Sequence, residues 1–97
     1  MRRRTTPEQL ARHRANQVWH FKKRVRQRFK RELTDDEIAD ILRRIKEDKP
    51  GVIFLQLNRN GTSVWRIKWR GLLMVVVYDH RTESLVTAYK YNRRRWK

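Results

Sequence analysis

His20, Arg24 and Arg28 recur every four residues, and in a helix that spacing brings side chains to one side. An imidazole titrates near neutral pH and can take or return a proton. Guanidinium groups beside it hold a fixed positive charge, which stabilises the extra negative charge of a phosphorane-like transition state. The row therefore has the make-up of a proton-transfer site on a phosphate. It equally has the make-up of a solvated basic helix face on which the histidine is a bystander. His13 has no partner pattern and His80 falls in a turn, so both read as bystanders.

A second group lies in the C-terminal half. Along Ser63–Trp69, alternation puts Val64, Arg66 and Lys68 on one face of a strand and Trp65, Ile67 and Trp69 on the other. If the register allows, Thr87, Tyr89 and Tyr91 of the last strand share the face of Arg66 and Lys68. Cations hold phosphates, while tyrosine rings offer stacking planes to unpaired bases and hydroxyls that hydrogen-bond sugar or phosphate. That combination suits RNA; the other reading is a plain solvated sheet face. Arg93, Arg94 and Arg95, beside Trp96, form a basic aromatic tail suited to gripping phosphate, or else a loose end.

Other chemistries find little support. The strand half holds only Asp79 and Glu83, both near one turn, whereas two-metal hydrolysis needs clustered carboxylates. There is no Cys/His spacing for zinc, no phosphate-binding glycine loop and no nucleophile elbow. The expectation is a site with no metal and no cofactor.

The elements that must position these residues are legible in outline. Thr6-Pro7-Glu8-Gln9 has the form of a capping box with proline at the first helical position, so a helix starts there. Leu10, Val18, Phe21, Val25 and Phe29 make its apolar stripe. Thr34-Asp35-Asp36-Glu37 starts a second helix, with three carboxylates where the helix dipole favours them. Ile38, Ile41, Leu42 and Ile45 give that helix its buried face, and Pro50-Gly51 is expected to end it. Four strands follow, near Val52–Leu57, Ser63–Trp69, Leu72–Tyr78 and Leu85–Tyr91, joined by short turns at Asn60-Gly61, Arg70-Gly71 and 79–82. Short turns make neighbours antiparallel. The predicted fold is α+β: two N-terminal helices packed on one face of a four-stranded antiparallel sheet, the face of Trp65, Ile67 and Trp69. Residues 6–91 form the single domain, between a basic N-terminal tail, 1–5, and a basic aromatic C-terminal tail, 92–97.

Composition agrees with a polyanion partner. In 97 residues there are 26 Lys and Arg against 10 Asp and Glu, a net charge of +16. Such a density costs stability through self-repulsion unless a partner offsets it. Residues 1–30 are net +10 and residues 51–97 net +8, while 31–50, the second helix, are net −2. The footprint therefore belongs to the two ends. Leu72 to Tyr78, the longest apolar run, is far too short to span a bilayer, so no membrane partner is expected. The absence of cysteine and of an apolar segment after Met1-Arg2-Arg3-Arg4 points to the cytoplasm.

The stretches His20–Phe29, Leu33–Ile38, Ser63–Ile67, Val75–Asp79 and Leu85–Tyr89, in that order, resemble the RelE/barnase/colicin-like superfamily of small ribonuclease toxins, as in small RelE-like proteins of phages and mobile elements. The resemblance covers roughly residues 18–91, as a pattern. It implies a metal-independent endoribonuclease, in which a ribose 2′-OH attacks the adjacent phosphate, with His20, Arg24, Arg66, Thr87 and Tyr89 in the working positions. Arg28, Lys68, Tyr91, Arg93, Arg94 and Arg95 would then hold nucleic acid. The alternative is a noncatalytic module that uses the same face to hold nucleic acid or to occupy an acidic protein, either an inhibitor or a host protein. A ribosome-associated structural protein would share the charge.

Overall fold

The computed structural model describes residues 6–92 and 94. Residues 1–5, Arg93 and 95–97 lie outside the described residues, and with them most of the two expected tails. Helix α1 runs Pro7–Phe29 and α2 runs Asp35–Lys46. Both capping boxes form: Gln9 N–H donates to Thr6 Oγ1 at 3.1 Å and Thr6 N–H to Gln9 Oε1 at 3.1 Å, with Thr34 and Glu37 repeating the exchange. Each satisfies two backbone donors that a helix start leaves free.

The expected stop at Pro50-Gly51 comes too late. Helix α2 ends at Lys46, and Asp48 takes a left-handed φ of 51°. Its N–H reaches the Ile45 carbonyl at 3.3 Å and Lys49 N–H the Arg44 carbonyl at 3.0 Å. This crossed pair satisfies the last carbonyls and closes the helix, leaving proline to the next turn.

The strands are β1 (Val52–Leu57), β2 (Thr62–Trp69), β3 (Leu72–Asp79) and β4 (Ser84–Lys90), paired antiparallel in that order. Between β2 and β3, Arg70 and Gly71 are both left-handed, at φ 46° and 80°, as a two-residue hairpin requires. Asn60-Gly61 was expected to supply two such residues, but only Gly61 is left-handed, at 82°. Asn58 N–H bonds the Thr62 carbonyl at 2.9 Å, so the loop has three residues rather than two. Asn60 does not take a positive φ and accepts the Thr62 N–H on its side chain at 3.2 Å.

Phe21 and Val25 of α1 and Ile38, Ile41 and Ile45 of α2 form one core with Ile67, Trp69, Met74, Val76, Tyr78, Leu85 and Ala88. The tryptophan face is therefore the face under the helices. Trp69 is buried and donates its indole N–H to Asp40 of α2 at 2.9 Å; Trp65 is partly buried, edge-on to Phe54. Helix α1 packs along β4 and covers that edge of the sheet. The other edge, β1, is open, with Ile53, Phe54 and Leu57 exposed. Among the described residues no helix is long and apolar enough to cross a membrane.

Candidate nucleic-acid interface

Leu85 lies in the core, and strict alternation from it would carry Thr87, Tyr89 and Tyr91 inward as well. The register prevents this. Tyr78 pairs with Leu85 but Val77 with Thr87, so Val86 is an extra residue bulged out of the ladder. Past it the faces exchange: Ala88 enters the core, and Thr87 and Tyr89 come round to the opposite face beside α1.

There they meet the helix row. Gln17, His20, Arg24 and Arg28 of α1 and Val86, Thr87 and Tyr89 of β4 line one cleft of about 280 Å³. Arg28 is fixed in it, donating to the Ala88 carbonyl at 2.5 Å with its guanidinium 4.6 Å over the Tyr89 ring. Arg24 donates to Gln27 at 3.2 Å, and the His20 ring meets Trp19 edge-on at 5.0 Å. The cleft thus presents an imidazole, two guanidinium groups, a hydroxyl and a phenol, with no carboxylate among its lining residues.

Four of the five residues expected to act together are in that cleft; Arg66 is not. It lies across the open face, with Val75 between it and Tyr89 in the register, and stacks 5.3 Å from the ring centre of Tyr91. Lys68, opposite Leu73, is exposed on the same face. Arg94 is exposed, its N–H bonded to Asn92 at 3.0 Å, while Arg93 and Arg95 lie outside the described residues. The open face is not a purely polar surface: Val64 and Val75 are buried between its long side chains.

The carboxylates are engaged elsewhere. Asp35 pairs with Lys22, Glu32 with Arg26, Glu37 with Arg70, Glu83 with Lys46 and Asp40 with Arg43 and Arg44. The Trp69 indole, then Arg43 and Arg44, hold Asp40 well below the usual carboxylate range against some desolvation. Among the described residues, no ion pair involves Arg24, Arg28, Arg66 or Lys68. Arg24 and Lys68 are exposed, while Arg28 and Arg66 are half-buried against Tyr89 and Tyr91.

A buried polar cluster anchors the helix end of the cleft. Gln17, buried on α1, donates to Asp79 at 2.9 Å and accepts from Thr82 Oγ1 at 2.6 Å. Arg14 donates to the Thr82 carbonyl at 2.7 Å. Burial alone would push the Asp79 carboxyl up, but hydrogen bonds from Gln17 and from the Arg81 side chain and backbone outweigh it and hold the group below its ordinary value. Sequence reasoning missed this cluster, although Gln17 continues the spacing of four set by Phe21, Val25 and Phe29. His80 is exposed at its turn, where its ring hydrogen-bonds Ser63 at 2.8 Å and lies edge-on to Tyr78. Among the described residues, no three His, Cys, Asp or Glu side chains cluster as a metal site would need. No protein-family model, curated protein or solved structure matches the chain.

Proposed function

We propose that the chain binds RNA, laying an unpaired stretch across the open sheet face and into the cleft between α1 and β4. One observation carries this reading: Arg24, Arg28, Arg66 and Lys68, unanswered by any described carboxylate, share a surface with Tyr89 and Tyr91. Guanidinium planes held over phenol rings stack bases as well as neutralise phosphates, which suits single strands better than a closed duplex. Affinity for a short single-stranded RNA should fall steeply with salt, because each phosphate contact releases condensed counterions. Replacing Arg66 and Lys68 with Ala should flatten that dependence and weaken binding. Replacing Arg43 and Arg44, which are occupied by Asp40, should do so much less. Equal losses, or affinity that ignores salt, would sink the reading.

The bulge at Val86 favours a second reading, that the cleft also cuts the strand it holds. His20 would accept the proton of a ribose 2′-OH as that oxygen attacks the adjacent phosphorus. Arg24 and Arg28 would stabilise the charge on the non-bridging oxygens, and the Tyr89 hydroxyl would protonate the departing 5′-oxygen, leaving a cyclic phosphate. Incubation with total RNA in EDTA, followed by mapping of cut sites, tests this. Varied RNAs that stay whole while bound, with or without divalent metal, would leave binding alone.

A further inference from the structure

Lys22, Lys23 and Arg26 follow Trp19 at helical spacings of three, four and seven, on a face of α1 adjoining the one that lines the cleft. With Glu32 and Leu33 beyond the helix end they enclose a concavity of about 460 Å³, larger than the cleft. Leu33 belongs to the core, while Trp19 is 58% exposed, more than any other described aromatic side chain. Trp19 is no part of the core, so the fold gains little from an indole there. Lys22 and Arg26 are paired with Asp35 and Glu32, whereas Lys23 has no described carboxylate partner and holds its ammonium 5.0 Å over the Trp19 ring.

We propose that this concavity takes an unpaired nucleobase of the same RNA strand, stacked on Trp19 with its phosphate on Lys23; the inference rests on the RNA reading above. Three features select that occupant. An exposed indole in a cavity with an apolar floor wants a flat apolar ring rather than a bare anion, and Glu32 beside it disfavours an isolated phosphate. The basic surroundings repel cationic ligands. Finally, the Trp19 ring touches His20, which lines the cleft, so a strand leaving the cleft crosses only that ring pair to reach the concavity. The lysine now over the ring is flexible. A base that displaces it hands the ammonium to the base's own phosphate.

Fluorescence anisotropy with a short single-stranded RNA, the same RNA made abasic, and a blunt duplex tests the proposal, using the full chain and its Trp19→Ala, Trp19→Phe and Arg66→Ala/Lys68→Ala variants. Trp19→Ala should weaken binding of intact single-stranded RNA about tenfold, the size of one lost stacking contact, and leave abasic RNA and duplex unaffected. Trp19→Phe should recover most of the loss. The salt slope of Trp19→Ala should match the parent, because stacking releases no counterions. An unchanged melting temperature identifies each Trp19 variant as folded, as expected for an exposed side chain. Trp19→Ala binding intact RNA as tightly as the parent, or losing equally on abasic RNA, overturns the proposal. If that happens while Arg66→Ala/Lys68→Ala still weakens binding, only the Trp19 site falls; a parent that binds no RNA removes both readings.

Discussion

Tyr89 offers a ring to Arg28 and a hydroxyl to the cleft, and one substitution separates the two. Tyr89→Phe keeps the ring, so RNA affinity should stay within a few-fold of the parent. If the cleft cuts RNA, the lost hydroxyl should slow cutting on the order of a hundredfold to ten-thousandfold in single-turnover assays. A threefold loss would make the hydroxyl peripheral. Asp79 contributes to the acid sensitivity of the fold. Its carboxyl is held below its ordinary value in the folded state, so the stabilisation is present above the unfolded pKa, about 3.9, and is lost as pH falls through the lower folded value. Melting temperature should therefore drop below about pH 4. Asp79→Asn, less stable at neutral pH, should show a shallower drop; parallel curves would assign the acid limit to other carboxylates, Asp40 first among them.

At the scale of the elements, local chemistry made the helices legible. Thr6 with Gln9 and Thr34 with Glu37 mark helix starts that three-residue hydrogen bonds create, and such contacts depend only on neighbours in sequence. The face of β2 was legible too, because Trp65, Ile67 and Trp69 alternate with Arg66 and Lys68. Three features were not: the extra residue in β4, the left-handed stop at Asp48, and the burial of Gln17. The first and third depend on what a distant segment offers, whereas the stop at Asp48 is local but rests on a left-handed φ at a residue that is not glycine. Val86 is an ordinary strand residue until Val77 and Tyr78 fix the pairing around it. The candidate site was thus named by residue type, while its assembly was set by that register. Deleting Val86 should leave Leu85 and Ala88 in the core and Thr87 and Tyr89 on the open face, because Tyr78–Leu85 and Val77–Thr87 then become consecutive pairs of a regular ladder. Salt-dependent RNA affinity should stay within a few-fold of the parent. A loss as sharp as that of a direct cleft variant would mean that the bulge shapes the cleft itself as well as the register.

The whole molecule has two sheet edges treated differently. Helix α1 covers β4, but β1 leaves its backbone row open beside exposed Ile53, Phe54 and Leu57. An uncovered edge with apolar side chains is a template for strand pairing between copies. The net charge of +16 opposes such pairing, since like-charged bodies repel before edges can meet. A polyanion ligand removes that protection. As RNA approaches charge equivalence, the complex should pass through a range of ratios in which light scattering rises, then clear again once excess RNA gives every particle a negative charge. Added salt should dissolve those clusters while they are held by charge alone. Adding a lysine to the edge, as in Phe54→Lys, should narrow the turbid range without changing affinity for a single strand. If RNA is the ligand, as proposed, solubility becomes a property the protein shares with it, lowest where the two charges are most nearly in balance.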